Sequence, residues 1–88
     1  MNRFEANDIA LARRMALMAQ IQRFIDGVDV SLEAAGLIEV GLDDAFPDND
    51  WIAGKVLMLA SYRPGGGESL YDEHQVRVEL EKVLPRLR

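Results

Sequence analysis

No cysteine occurs in the 88 residues, so disulfides and cysteine-ligated zinc are excluded and core packing alone must hold the fold. A reducing compartment is therefore allowed. There is one histidine, His74, and the serines Ser31, Ser61 and Ser69 lie in no nucleophile-elbow sequence, which removes serine and cysteine triads from consideration. His74 fits an exposed or helix-capping position better than a general base. No apolar run approaches the roughly 20 residues that span a bilayer, and the polar start resembles no signal peptide. A cytoplasmic protein without a membrane partner is expected. Most informative is the absence of any Lys or Arg from residue 26 to residue 50, a stretch that holds Asp26, Asp29, Glu33, Glu39, Asp43, Asp44, Asp48 and Asp50.

That stretch owns the charge. Residues 1–25 carry four bases and two acids, and residues 51–88 carry six bases and five acids, so the net charge of −5 resides in the middle of the chain. Such a run either solvates an exposed helix face or produces a field that speeds encounter with a basic partner and repels nucleic acid. Arg13 and Arg14 form only a small basic spot, too little to offset the phosphate repulsion expected of a net acidic chain. No nucleic-acid partner is expected. A chain of this length is one domain, 1–88, with a modest core.

Helical periodicity dominates. From about Asn7 to Asp26, Leu11, Met15, Met18 and Ile25 form one apolar stripe, with Leu17, Ile21 and Phe24 on a neighbouring one. Asn7 or Asp8 would cap this helix, and Gly27 would end it in a left-handed conformation. Arg13, Arg14 and Arg23 fall on or near its solvated side, within reach of the acidic segment. A second helix runs from Leu32, after an Ser31 N-cap, to about Ala45, with Leu32, Ala35, Ile38, Leu42 and Ala45 on its apolar face. Gly36 and Gly41 either weaken it or mark close approach of a neighbouring helix, and close approach is preferred.

Pro47 stops the second helix, and Asp48 or Asn49 caps a third, from Trp51 to about Tyr62, which the pattern of Ile52, Val56, Leu57, Leu59 and Ala60 makes largely buried. Arg63-Pro64-Gly65-Gly66-Gly67 then forbids further helix. The last helix starts at Asp72, where Gln75 three residues later completes a capping box, and Val76, Leu80, Val83 and Leu87 form its buried face. Pro85 would shorten it by a turn and leave Arg86 and Arg88 as a basic tail. Four helices with short connections give an all-α, antiparallel four-helix bundle.

No ligand chemistry is apparent. Asp43-Asp44 and Asp48-Asn49-Asp50 offer oxygens to a hard cation but lack the glycine and distal glutamate of a calcium loop. The glycine triplet is not followed by Gly-Lys-Ser/Thr, and Glu68 would repel an anion. No metal, no cofactor and no enzymatic activity are expected. The segment from Tyr62 to Glu73 instead combines two tyrosines with Glu68, Asp72 and Glu73. Both rings either pack locally to fix the loop or serve as interface anchors.

Met58-Leu59-Ala60-Ser61-Tyr62-Arg63-Pro64, Leu70-Tyr71-Asp72-Glu73 and Val76-Arg77-Val78-Glu79-Leu80-Glu81-Lys82-Val83-Leu84 together resemble the C-terminal half of small immunity proteins related to the colicin D immunity protein. Phe24-Ile25-Asp26-Gly27 and the following helix resemble the N-terminal half more loosely. The glycine triplet departs from the family pattern. The resemblance implies a four-helix bundle that inhibits a nuclease toxin, typically one that cleaves tRNA, by covering its basic active cleft with carboxylates. It places Tyr62, Glu68, Tyr71, Asp72 and Glu73 in the matching loop, with Glu68, Asp72 and Glu73 facing Lys or Arg of the toxin and Tyr62 and Tyr71 as apolar anchors. Asp43, Asp44, Asp48 and Asp50 would steer association or extend the contact, the protein being a monomer or weak homodimer. The competing expectation is a helical scaffold or regulatory module that pairs through an apolar face with itself or another helix pair.

Overall fold

A computed structural model describes the backbone of residues 3–88 and the side chains of residues 8–88. Four helices carry the fold: α1 (Arg3–Ile25), α2 (Leu32–Ala45), α3 (Asp50–Ala60) and α4 (Glu73–Leu87). Each packs on two others, α1 on α2 and α4, and α3 on α2 and α4, while among the described residues the backbones of the diagonal pairs stay farther apart. This is an all-α four-helix bundle, as the periodicities require. No described helix is long and apolar enough to cross a membrane.

The core is one cluster drawn from one stripe of each helix. Leu17, Ile21 and Phe24 enter from α1, Ala35, Ile38 and Leu42 from α2, Ile52, Met58 and Leu59 from α3, and Val76, Leu80, Val83, Leu84 and Leu87 from α4. Of the two stripes on α1, the bundle covers the second. Met18 and Ile25 pack partly against the core, but Leu11 and Met15 remain 57% and 60% exposed.

The helix ends follow the chemistry of their capping residues. Val28 N–H donates to Arg23 C=O at 2.9 Å and Gly27 N–H to Phe24 C=O at 3.1 Å, the paired bonds of a Schellman ending, with Gly27 at φ 75°. Ser31 Oγ accepts from Ala34 N–H at 3.0 Å and starts α2. Asn49, not Asp48, caps α3, accepting from Ile52 N–H at 3.0 Å.

Three expectations are corrected at this level. Helix α1 begins at Arg3, so Asn7 and Asp8 lie inside it and do not cap it. Helix α4 continues through Pro85 to Leu87, because Leu84 and Leu87 are buried and a proline in the last turn removes only one ladder bond. Arg86 consequently belongs to the helix, its guanidinium 4.3 Å from the Trp51 ring centroid, rather than to a free tail. Helix α3 is only half buried. Leu57 is 70% exposed, since five residues after Ile52 it is rotated by about 140° from the core direction.

The two glycines of α2 differ. A Cβ on Gly41 would lie 2.7 Å from Leu17 Cδ1, so a larger residue there makes the end of the Leu17 side chain turn aside, whereas Gly36 has open space around it, as does Gly54 in α3. Gly36→Ala and Gly54→Ala should therefore each stabilise the fold by up to about 1 kcal/mol through helix propensity alone. In thermal melts each should raise Tm by about 4–8 °C for a domain of this size, with a smaller gain or a loss for Gly41→Ala.

Candidate functional site

The segment between α3 and α4 is closed by its own backbone. Tyr71 N–H donates to Ser61 C=O at 3.0 Å and Arg63 N–H to Tyr71 C=O at 3.0 Å, pairing the two ends of the loop. Within it, Gly66 N–H reaches Arg63 C=O at 2.8 Å and Leu70 N–H reaches Gly67 C=O at 3.1 Å. Gly65 and Gly66 adopt φ 82° and 75°, a region that favours glycine, and a Cβ on Gly66 would press on Asp72 Cβ at 3.2 Å. Ser69, at φ 63°, turns the chain back toward Leu70. The glycine triplet thus builds a shaped knuckle at one end of the bundle.

The five loop residues singled out by sequence occupy different environments. Glu68 is exposed, and Tyr71 is 40% exposed at the edge of the knuckle. Asp72 is half-buried and engaged at home: its carboxylate accepts from Gln75 N–H at 2.9 Å, while Gln75 Oε1 accepts from Asp72 N–H at 3.0 Å, completing the capping box. Glu73 Oε1 accepts from Gly65 N–H and ties the knuckle to the first turn of α4.

Tyr62 is a correction. It is 4% exposed, its ring meets Phe24 edge-on at 5.3 Å between centroids, and its hydroxyl donates to Val30 C=O. Its ring is part of the core and has no face left for a partner. Burial, with the carboxylates of Glu73 and Asp72 nearby, pushes the phenol up to about 12, so the hydroxyl keeps the proton that it donates.

Asp43, Asp44, Asp48 and Asp50 gather at the other end. The Tyr62 hydroxyl bonds Val30 just before α2, whereas these acids lie at the far end of α2 and around the turn into α3. The 14 residues of α2 set the two groups about 20 Å apart. Asp50 sits in the first turn of α3, where the helix dipole favours an acid. Asp43 and Asp44 sit in the last turn of α2, which contains no base, and there the dipole disfavours them. The nearest compensation is Arg13, 4.0 Å from Asp44 with both side chains about 70% exposed, a pair worth under about 1 kcal/mol. Arg14 lies over the Phe46 ring at 5.6 Å instead.

Two surface features were not read from the sequence. A shallow dip of about 220 Å³ lies beside Tyr71, lined by Gly54, Lys55, Met58 and Glu79, with Leu57 exposed on the same helix. Glu79 holds Lys55 at 2.6 Å and Lys82 at 3.1 Å, and these two ammonium groups keep its carboxyl below the usual glutamate range. The other feature is a groove of about 780 Å³ between α1 and α2, at the acidic end. The first needed the packing of α3 on α4, which brings Lys55 to Glu79. The second needed the knowledge of which α1 stripe the core selects. Among the described residues, no cluster of His, Asp or Glu is arranged to hold a metal ion.

Asp72→Ala should remove the capping bond and lower stability by about 1 kcal/mol. Urea denaturation measures it; a midpoint unchanged from the parent would mean that Asp72 contributes nothing to the helix start.

Compared with known proteins, the chain matches no family model, no curated protein and no solved structure.

Proposed function

We propose that this protein is an immunity protein that binds a basic nuclease toxin at its tRNA-cleaving cleft and blocks it without performing chemistry. The observation that carries this reading is the knuckle between α3 and α4: a backbone-closed loop that presents Glu68 and Tyr71 outward, with no hydrogen bond or ion pair from either side chain among the described residues. A rigid loop loses little entropy on docking, and tyrosine with a neighbouring carboxylate suits a basic cleft. The resemblance of residues 58–84 to the colicin D immunity family adds to this reading, as does the acidic stretch from Asp26 to Asp50. Glu68 and Tyr71 make the contact, Asp72 and Glu73 hold the loop and add negative field, and Asp43, Asp44, Asp48 and Asp50 steer the approach from a distance.

Titration calorimetry against the C-terminal domain of a toxin encoded beside the gene, at low and high salt, tests it. Tight one-to-one binding that weakens with salt and stops RNA cleavage is the expected result. A folded nuclease domain that does not bind would remove that toxin as the partner and favour a second reading, a helical interaction module, for which the uncovered groove between α1 and α2 speaks.

A further inference from the structure

The chain reverses twice at one end of the bundle. The turn from α1 into α2 and the knuckle between α3 and α4 both lie there, while the turn from α2 into α3 lies at the other end. Tyr62 fastens the two together: its ring meets Phe24 just before the turn, and its hydroxyl donates to the Val30 carbonyl within it. The turn is also fixed by its own bonds. Val28 N–H closes α1 on Arg23 C=O at 2.9 Å, and Asp29 Oδ1 accepts from Ser31 N–H at 3.2 Å and from Ser31 Oγ–H at 2.7 Å. Val28 and Leu32 nevertheless stand clear of the core, 63% and 54% exposed. The opposite turn presents no such residue, because its one large apolar side chain, Phe46, packs on the core and lies under Arg14.

We infer that Val28 and Leu32 are a second half of the toxin-binding surface, an apolar platform that seats with Tyr71 on the basic nuclease domain. The inference rests on the immunity reading and extends its contact from the knuckle to the α1–α2 turn. Size requires an extension. A specific interface takes about 800 Å² from each partner, whereas a tyrosine supplies at most about 250 Å², and Tyr71 is already more than half covered. Glu68 and Tyr71 alone therefore cannot make the contact, and the turn is the surface that shares their end of the bundle.

Charge selects the occupant. Residues 23–33 and 62–73 hold six acids against two bases, Arg23 and Arg63, a net −4. Among these acids, Asp26 and Glu33 are exposed on either side of Val28 and Leu32 in the chain; one oxygen of Asp26 is held by Gln22 at 2.9 Å, and the other is left for a partner. Apolar residues in such a surround suit a basic protein surface and disfavour nucleic acid or an acidic partner. Because Tyr62 holds turn and knuckle as one body, little entropy is lost when both dock together.

Binding of the nuclease domain of a toxin encoded beside the gene, followed by stopped flow, tests the inference. Val28→Lys and Leu32→Lys should each speed dissociation at least tenfold at both low and high salt, while the helical circular dichroism persists because both side chains are exposed. Val40→Lys is the control. It makes the same charge change at a 68% exposed position on the outward face of α2, and it should leave the dissociation rate unchanged. Hydrogen exchange of the parent protein supplies an arm that needs no variant: on binding, residues 26–33 should be slowed together with 63–72, and residues 43–50 should not. If Glu68→Lys weakens binding while Val28→Lys and Leu32→Lys dissociate like the parent, the inference is overturned and the immunity reading stands. Slowed exchange along α3 or at 43–50, with 26–33 unaffected, overturns it as well. A parent protein that binds no such nuclease domain removes the immunity reading and this inference together.

Discussion

Tyr62→Ala is expected to destabilise the protein by about 3–5 kcal/mol, which at this chain length is most of the stability available. The ring is 4% exposed and meets Phe24, so its removal opens a cavity where α1, α3 and the knuckle converge. Tyr62→Phe separates the ring from the hydroxyl. It keeps the packing but leaves the Val30 carbonyl without its donor, at a cost of about 1–2 kcal/mol. The two variants should therefore unfold at clearly different urea concentrations, alanine far below phenylalanine and phenylalanine modestly below the parent. Alkaline pH supplies an independent readout. The phenol is raised from 10.0 to about 12 in the folded state, so its contribution is complete below pH 10 and is lost as pH rises through about 12. The difference in stability between the parent and Tyr62→Phe should narrow over that range. Equal midpoints for all three proteins would show that Tyr62 is not the core residue that its burial makes it.

That tyrosine also shows where sequence reasoning stops. Element positions were legible because they rest on local chemistry: Ser31 caps α2, the Asp72 and Gln75 pair opens α4, and Gly27 closes α1 in a left-handed conformation. The buried face of α4 was equally plain, as Val76, Leu80, Val83 and Leu87 recur at helical spacing. The α1 start was missed because Asn7 and Asp8 have the chemistry of N-caps, whereas the helix already runs through Arg3-Phe4-Glu5-Ala6 before them. Which α1 stripe enters the core was not legible either, because both are apolar and only the packing of α1 on α2 and α4 chooses between them. The two tyrosines of the loop looked alike for a related reason. Only the fold puts the Tyr62 hydroxyl on Val30, 32 residues away in the chain, while Tyr71 is left at the rim. The acidic residues were identified individually, but their separation into two groups at opposite ends of α2 is a property of the assembled bundle.

This separation gives the toxin-binding prediction its form. Glu68→Lys should weaken binding to a basic nuclease domain on the order of a hundredfold, because a repulsive contact replaces an attractive one at the centre of the proposed interface. Tyr71→Ala should cost a comparable amount through lost area, and it should raise the dissociation rate more than it lowers the association rate. Neither substitution should move the thermal midpoint much, since Glu68 is exposed and Tyr71 is 40% exposed. At the far end, Asp48→Lys and Asp50→Lys should act differently. About 20 Å from the knuckle, they lie beyond a Debye length at physiological salt and act through the long-range field alone, slowing association at low ionic strength and fading as salt is added. Stopped-flow association and dissociation rates for the four variants, each at two salt concentrations, separate the two behaviours. If Glu68→Lys and Tyr71→Ala bind like the parent while the Asp48 and Asp50 variants lose affinity at every salt concentration, the contact surface lies at the α2–α3 end, and the knuckle is a device for joining α3 to α4.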